Sequence, residues 1–219
     1  MSFGLARGKQ LDITGVGILA ADLPPIEDGY FDPRAWFPPE KLNNPFHIEI
    51  GSGKGTFLVQ QAALTPNINY LGIEWAGEFF RYAADRIRRN QLDHVKILRA
   101  DAVEFIRFLV PDQICDVLHI YFPDPWPKKR HHKRRSINAE NLKQFHRILK
   151  PNGEIRIVTD HDDYWQWIQQ HITQVSDLFT TADFNRPESA SEGEVVGTNF
   201  ERKYKREGRP FNATRLIAK

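Results

Sequence analysis

The chain has 219 residues, 41% of them hydrophobic, which is enough to bury a sizeable core in one domain with a modest extension. Its 30 Lys and Arg nearly balance its 28 Asp and Glu, so the chain is not a uniform polycation, and the places where cations cluster carry the information. The single cysteine, Cys115, excludes an internal disulfide and a cysteine-rich metal site.

The N-terminal residues lack the apolar core of a signal peptide, and no run reaches the roughly 18 apolar residues of a membrane span. A single cysteine also fits a reducing compartment. We therefore expect a cytoplasmic protein that does not bind membranes.

Residues 1–45 carry six prolines and little hydrophobic periodicity, which indicates irregular structure. We interpret them as a partly irregular N-terminal arm that packs on the following domain or trails from it. From Phe46 onward, short apolar runs alternate with helical periods, and this alternation is typical of an α/β fold with a parallel sheet. Residues 46–219 are the predicted domain.

Five apolar runs predict the strands of that sheet. They are 46–51 (FHIEIG), 69–75 (NYLGIEW), 95–101 (VKILRAD), 115–122 (CDVLHIYF) and 153–160 (GEIRIVTD). The first, second and fifth runs are each followed by a predicted helix. Apolar residues spaced three and four apart place amphipathic helices at 76–90, 138–149 and 161–173.

The C-terminal part is predicted to contain a long loop and a last strand. Residues 185–212 are polar and contain Gly, Pro and Ser, which indicates a loop, and loops of this length are often functional. The final apolar run, 213–219, predicts a strand that ends the chain.

A glycine-rich turn follows the first predicted strand, in the stretch IEIGSGKGTF. Gly51, Gly53 and Gly55 would let the backbone turn tightly and approach a cofactor closely. The spacing differs from the dinucleotide fingerprint G-x-G-x-x-G, because position 56 is Thr, and it lacks the Gly-Lys-Ser/Thr of a phosphate-binding loop. A turn that only connects a strand to a helix is the alternative.

Three acids at the carboxyl ends of predicted strands favour a cofactor site. Glu49 lies within the first apolar strand, where a carboxylate needs a partner, and a cationic ligand group is a natural one. Glu74 ends the second strand and suits the hydroxyls of a ribose. Asp101 follows the third strand, within reach of an adenine edge. S-adenosylmethionine has an amine, a sulfonium and no phosphates, so it fits this set of residues.

A proline-framed acid, Asp124, leaves the fourth strand at the same edge in the stretch FPDPWP. Pro123 and Pro125 restrict the backbone on both sides of it. A rigid carboxylate beside Phe122 and Trp126 is suited to a planar base, which the rings can stack on while the carboxylate accepts from ring N–H groups. A proline-rich turn with an incidental acid is the alternative.

The sequence KKRHHKRR at 128–135, called the basic run below, follows at once. Such a run can be a solvated loop or a localisation signal. Its place beside Asp124 favours contact with phosphates, and therefore a nucleic-acid partner. A second cluster, ERKYKREGR at 201–209, has five more cations and could flank the same cleft. His131 and His132 have no ligand partner at metal-binding spacing, so no metal is expected.

Six motifs in order resemble the tRNA (guanine-N7)-methyltransferase family of the bacterial TrmB type, over roughly residues 46–217. They are EIGSGKG (49–55), GIEW (72–75), DA (101–102), PDPWPKKRHHKRR (123–135), TDHDDY (159–164) and TNFERK (198–203). Many methyltransferases share the glycine motif, whereas PDPWPKKRHHKRR is highly specific. The resemblance implies a Rossmann-like class I S-adenosylmethionine-dependent fold, with a mostly parallel central sheet, an antiparallel strand near the C-terminus and helices on both faces.

The same resemblance implies an enzyme that methylates N7 of guanine-46 in the variable loop of tRNA, as a monomer or a homodimer. It implies that Asp124 is catalytic and also binds the cofactor, together with Glu49, Glu74 and Asp101. The implied substrate-binding residues are Lys128, Asp160, Thr198, Asn199, Phe200 and Glu201, and the implied RNA-contacting residues are Arg130, His131, His132, Lys133, Arg134 and Arg135. Phe200 stands where the family commonly has Tyr, so a role that needs the hydroxyl is not carried over.

Two other functions fit parts of the pattern. An amino-group methyltransferase acting on another RNA or on a protein also has an acid or amide among prolines after the fourth strand, but its usual pattern is Asp/Asn-Pro-Pro-aromatic, and here Trp126 follows Pro125. A non-catalytic RNA-binding module that has kept the fold would not need the cofactor-side acids. A nicotinamide dehydrogenase is disfavoured by the glycine spacing.

Overall fold

The computed structural model describes residues 11–219, so the first ten residues of the predicted arm lie outside the described residues. The strands are β1 (Gly17–Leu19), β2 (Phe46–Ile50), β3 (Asn69–Ile73), β4 (Val95–Arg99), β5 (Cys115–Tyr121), β6 (Leu149–Thr159), β7 (Phe179–Ala182) and β8 (Asn212–Ala218). They form one sheet with the order β1-β4-β3-β2-β5-β6-β8-β7.

The sheet is parallel from β1 through β6, and β8 runs antiparallel to both of its neighbours, β6 and β7. This confirms the predicted mostly parallel sheet with an antiparallel strand near the C-terminus. Because the parallel strands end at one edge, the loops that follow β2, β3, β4 and β5 meet there, and open α/β sheets bind ligands at that edge.

Helices cover both faces of the sheet, as predicted. They are α1 (Thr56–Leu64), α2 (Gly77–Arg89), α3 (Ala102–Leu109), α4 (Ala139–Ile148), α5 (Asp162–Thr173) and α6 (Asn199–Arg206). One buried apolar cluster joins the sheet to α3, α4 and α5, and a second joins it to α1 and α2. The predicted helices at 76–90, 138–149 and 161–173 are confirmed within a residue or two at each end.

Part of the predicted arm belongs to the sheet. Residues 17–19 are β1, which pairs parallel with β4 at the sheet edge. Further along the arm, Phe31 and Trp36 pack on Phe105 of α3, with ring centroids 6.1 and 6.3 Å from the Phe105 ring. The arm therefore packs on the sheet through β1 and on α3 through Phe31 and Trp36. The boundary at residue 45 stays a prediction.

Besides β1, three further elements were not predicted. The predicted loop at 185–212 contains α6. Only Phe200 and Tyr204 among its eight residues carry a largely apolar side chain, too few to indicate a helix from the sequence. The short helix α3 is eight residues long, and Asp101 forms its N-cap by accepting from the N–H groups of Val103 and Glu104. The strand β7 is four residues long and pairs only with β8.

Candidate active site and nucleic-acid interface

The glycine loop, residues 51–55, leaves β2 at the carboxyl edge of the sheet. Its three glycines all have positive φ angles, between 53° and 76°, a region that other residues rarely adopt. At Gly55 a side chain is excluded for a second reason, because a Cβ atom would lie 2.9 Å from the Cβ of Ala83 in α2. The sequence therefore folds here into a tight turn packed against α2, as predicted.

Glu74 fixes this loop from the end of β3. Its carboxylate accepts from the N–H of Gly53 at 2.7 Å and from the N–H of Ala76 at 2.7 Å. Burial raises the pKa of Glu74, although these N–H groups oppose the shift, and the nearby charge of Asp124 raises it further. Two acids predicted from separate motifs thus lie close enough to interact.

Glu49 is buried in β2, 4% exposed, and its Oε2 atom has no hydrogen-bond partner among the described residues. Burial raises the pKa of Glu49 to about 8. A carboxyl group held this way gains most from a cationic ligand, which would return it to the charged form. The amine and sulfonium of S-adenosylmethionine are cationic groups of this kind, so the Glu49 carboxyl group fits this cofactor.

Asp101 borders a groove of about 700 Å³ between the arm and the sheet edge. Trp75 and Phe108 line the groove together with residues 19–26, and the Trp75 side chain is 73% exposed. The N-cap bonds of Asp101 use its Oδ1 atom. A carboxylate at the mouth of an aromatic groove can accept from an exocyclic amine, which is the adenine contact expected from the sequence.

Asp124 lies exposed at the centre of residues 122–127, called the acidic turn below. The turn has a non-glycine residue with positive φ at each end, Phe122 at 52° and Trp126 at 43°. The N–H of Phe122 donates to the carbonyl of Val158 at 2.8 Å, which ties the turn to β6. Backbone in this region costs about 1–3 kcal/mol per residue and persists where the surroundings fix it, most often at functional sites.

Helix α6 bridges the glycine loop and the acidic turn. The amide of Asn199 donates to Thr56 Oγ1 at 2.8 Å, and the Phe200 ring would lie 3.6 Å from a Cβ on Gly53. At the other side, the ring of Tyr204 is 6.0 Å from that of Phe122. Two predicted substrate residues, Asn199 and Phe200, therefore lie beside the predicted cofactor loop.

Thr198 and Glu201 have structural partners at the start of α6. Thr198 Oγ1 accepts from the N–H of Glu201 at 3.1 Å and caps the helix. The carboxylate of Glu201 is fully buried and accepts from the N–H groups of Val195, Val196 and Gly197. These contacts hold the segment before α6 in place, and a contact between Glu201 and substrate stays a prediction.

Asp160, at the end of β6, pairs with Arg209 at 2.6 Å. The Arg209 guanidinium also lies 4.2 Å from the centre of the Tyr204 ring. Burial raises the pKa of the Tyr204 hydroxyl, and the charges of Asp160 and Asp124 raise it too. Tyr204 and Arg209 belong to the second basic cluster of the sequence, but their place beside Asp160 depends on α6, which was not predicted.

The basic run divides into two groups. Lys128 is exposed and precedes a 3₁₀ helix, Lys129–Arg134, whose long cationic side chains are exposed at Lys129, Arg130, Lys133 and Arg134. His131 and His132 are half-buried, and their rings contact Trp126 and Trp167. Arg135 differs from its neighbours because it is 1% exposed. The basic run thus presents five exposed long cations, from Lys128 to Arg134, and buries a sixth, Arg135.

Within residues 11–219, no group of three or more His, Cys, Asp or Glu side chains could hold a metal ion. The same residues contain no helix that has both the length and the apolar composition needed to cross a bilayer.

Several curated relatives of this chain share one description. A family model described as "Putative methyltransferase" matches residues 43–214. A tRNA (guanine-N(7)-)-methyltransferase from Streptococcus thermophilus (strain CNRZ 1066) is 34% identical over 166 residues, 76% of this chain and 77% of that protein. The chain belongs to the tRNA (guanine-N(7)-)-methyltransferase family. A protein of the same name from Streptococcus suis (strain 05ZYH33) is 36% identical over 166 residues, which are again 76% of this chain and 77% of that protein. The family predicted from the motifs is confirmed.

Solved methyltransferase structures share the fold. The aminoglycoside resistance methyltransferase NpmB1 matches with a TM-score of 0.57 and 16% identity, over 87% of this chain and 95% of its own. The 16S rRNA methyltransferase KamB matches with a TM-score of 0.56 and 14% identity, over 92% and 93%. At such identities the likeness is one of fold alone, and it confirms the predicted methyltransferase fold class.

Proposed function

We propose that this chain transfers a methyl group from S-adenosylmethionine to N7 of a guanine in tRNA, and that the guanine is guanine-46 of the variable loop. Membership of the tRNA (guanine-N(7)-)-methyltransferase family supports the reaction. The observation that carries the proposal is that α6 contacts both motifs: its Phe200 ring lies beside Gly53 of the cofactor-type loop, and its Tyr204 ring lies 6.0 Å from that of Phe122 in the acidic turn. One site would therefore serve both cofactor and base.

The cofactor would be held by residues at the carboxyl edge of β2, β3 and β4. Glu49 would pair with its cationic end, Glu74 with the ribose hydroxyls, and Asp101 with the adenine amine. The backbone of Gly51, Gly53 and Gly55 would allow close approach. When bound, S-adenosylmethionine supplies an electrophilic methyl group and a neutral thioether leaving group.

Asp124 would bind the guanine and stabilise its developing positive charge. Guanine N7 has a free lone pair and no proton to lose, so the reaction needs alignment and charge stabilisation more than a strong base. A fixed carboxylate near the ring would stabilise this charge. The flanking prolines and the strained backbone of the acidic turn would hold the carboxylate in place. Asp124 is thereby assigned as an electrostatic stabiliser of the methylated ring.

The exposed cations of the basic run would hold the RNA backbone on which that guanine lies, and Lys128 would begin this contact. Each phosphate contact contributes a salt-dependent increment to binding. Replacing Lys129, Arg130 and Lys133 with Ala should raise the tRNA KM about tenfold or more and lower the slope of log KM against log salt by about 0.7–0.9 per lost contact. The measurement is tRNA KM at 50 to 200 mM salt. An unchanged slope would identify the run as a solvated surface.

The proposed function is tested by incubating the protein with radiolabelled S-adenosylmethionine and unmodified tRNA, then cleaving the RNA selectively at N7-methylguanosine. We expect incorporation of label and one cleavage product ending at guanine-46. A transcript with adenine at that position is the matched control and should accept no label. Label without N7 cleavage would indicate amino-group methylation, and cofactor binding without label would indicate a non-catalytic RNA-binding module.

A tRNA substrate is consistent with the expected cytoplasmic location. That location, like the monomeric or homodimeric state, stays a prediction.

A further inference from the structure

Arg135 cannot act as a phosphate contact in the arrangement described here. Its neighbour Arg134 is exposed, with its guanidinium 4.9 Å from the centre of the Trp126 ring. Arg135 is 1% exposed, and its guanidinium lies between the rings of Tyr164 and Trp167 of α5, 4.8 and 5.0 Å from their centres. Two adjacent arginines of one motif therefore differ in exposure and in the functions open to them.

The polar contacts of Arg135 lead to the acidic turn. Its Nε atom donates to the carbonyl oxygen of Pro125 at 2.8 Å, and its terminal nitrogen pairs with the carboxylate of Asp163. Arg135 lowers the pKa of Asp163 through this contact, which keeps the carboxylate charged. A buried cation with a charged partner and a carbonyl acceptor is satisfied without RNA.

The Pro125 carbonyl belongs to the peptide group that joins Pro125 to the strained residue Trp126, and Pro125 directly follows Asp124. The hydrogen bond to this carbonyl fixes the orientation of the peptide plane, and so helps to hold Trp126 at its positive φ angle of 43°. At the other end of the turn, the Phe122 N–H is fixed by Val158. The two bonds clamp the turn on both sides of Asp124, so the position of its carboxylate depends on Arg135.

We propose that Arg135 is a positioning residue that holds the Asp124 carboxylate in its catalytic place through the Pro125 carbonyl, and does not contact RNA. The proposal rests on the proposed function, because it assigns Asp124 the guanine. Arginine is required because a lysine ammonium has no planar group to lie between two rings and no fork to reach Pro125 and Asp163 together. The aromatic pair at 164 and 167, one helical turn apart on α5, forms the slot.

The kinetic test compares matched substitutions at a buried and an exposed position of the basic run. Arg135→Ala should lower kcat about 100-fold, the scale expected for a misplacement of about 1 Å, and leave the tRNA KM within about threefold. Arg130→Ala should do the reverse, raising the tRNA KM with kcat within about twofold. The charge-conserving Arg135→Lys should reproduce the kcat loss. A raised tRNA KM with unchanged kcat in both Arg135 variants overturns the proposal.

A second readout is independent of methyl transfer. Labelling with 5-fluorotryptophan gives one fluorine signal for each of the five tryptophans, and Trp126→Phe assigns the signal of the acidic turn. Arg135→Lys should shift or broaden the Trp126 signal, and Lys133→Ala, at an exposed position of the same run, should leave it in place. If the wild-type protein fails to methylate tRNA, the proposed function fails, while this measurement still decides whether Arg135 positions the turn. An unmoved Trp126 signal in Arg135→Lys overturns the inference.

Discussion

A carboxylate that stabilises a charge moving onto a ring must be close and immobile, and it need not accept a proton. Asp124 is exposed, so its fixed position has to come from its backbone. The positive φ angles of Phe122 and Trp126, together with Pro123 and Pro125, leave that backbone little freedom. The residue is thus rigid without being buried, and it remains accessible to a base.

Asp124→Asn tests this role at the scale of one atom. The amide keeps the size of the side chain and removes its charge, so we expect kcat to fall about 100-fold or more, as when a preorganised electrostatic contact is removed. Cofactor affinity should stay within a few-fold, because Glu49 and Glu74 are untouched. The two values come from methyl-transfer kinetics and calorimetric titration. Activity equal to wild type would refute the electrostatic role.

The raised pKa of Glu49 predicts how the affinity for the cofactor depends on pH. Its pKa of about 8 in the free protein means that the carboxyl is mostly protonated at pH 7. A cationic ligand favours the ionised form, so binding should release a proton, and affinity should weaken as pH falls below 8, by up to about tenfold per unit. Calorimetry in buffers of different ionisation enthalpy measures the released proton. Glu49→Gln is the control, because it has no proton to release, and equal release from both proteins would exclude Glu49 as the source.

The sequence predicts that several acids meet at one edge of the sheet, but it does not predict the burial of Arg135. Glu49, Glu74 and Asp101 each end a recognisable strand, and parallel topology brings such ends to one edge. Arg134 and Arg135 are chemically identical neighbours, so the motif predicts one role for both. Burial of Arg135 depends on Tyr164 and Trp167, and their spacing of three residues on a helix is the signal that could have indicated a slot.

At the scale of elements, one buried carboxylate ties α6 to the segment that precedes it. Glu201 collects three backbone N–H groups from the segment before the helix, and two of these bonds are 2.8 Å long. Bonds to a charged group contribute about 1.5–3 kcal/mol each. The helix itself offers little apolar surface, since Glu201 is its buried residue. The stability of α6 therefore depends on the loop that precedes it.

Glu201→Gln should loosen this segment without unfolding the sheet. A glutamine has one acceptor oxygen, so it leaves N–H groups of 195–197 unsatisfied at a cost of about 1–3 kcal/mol each. We expect faster proteolysis and faster amide hydrogen exchange over residues 195–206, with exchange in β5 unchanged. Glu192→Gln, at an exposed position of the same loop, is the matched control. If only the tRNA KM changed, and exchange did not, Glu201 would be a substrate contact instead.

Elements with clear apolar periods could be predicted, and elements held by polar contacts could not. The buried runs of β2 to β6 and the stripes of α2, α4 and α5 follow from hydrophobic burial, which leaves a period in the sequence. The helix α6 depends on a Thr198 cap and on Glu201. The strand β1 has three residues and exists because β4 offers an open edge. Both α6 and β1 depend on tertiary contacts, which leave no local pattern in the sequence.

For the whole molecule, the two faces of the sheet differ in chemistry. One face carries the large apolar cluster with Ile48 and Leu118. On the opposite face, His119 Nε2 lies 3.2 Å from His47 Nδ1, and His119 Nδ1 lies 2.8 Å from the hydroxyl of Tyr121. The two histidines and the tyrosine form a row of neutral hydrogen-bonding groups, half-buried at His47 and buried at His119 and Tyr121.

The low pKa values of His47 and His119 predict how these residues make the stability of the protein depend on pH. Burial lowers the pKa of His47 to about 3, the charges of Arg156 and Lys150 contribute to the shift, and Asp116 opposes it. Burial and the charges of His47 and Arg156 also lower the pKa of His119. A histidine of the unfolded chain has a pKa of about 6.5, so below that pH the unfolded state binds more protons than the native state. The contribution of the histidines to the free energy of unfolding is therefore complete above pH 6.5 and is lost as pH drops from 6.5 toward 3.

The histidine contribution is isolated by comparing wild type with His47→Gln, a polar residue that does not titrate. Below pH 6 the free energy of unfolding should fall more steeply in wild type, by about 1.4 kcal/mol per pH unit for the one titrating group removed. Urea titrations at half-unit steps from pH 7.5 to 4.5 measure the two slopes. Native carboxylates that protonate in this range affect both proteins alike, so they cancel in the difference. Parallel slopes would mean that His47 is charged, or reached by solvent, in the native state.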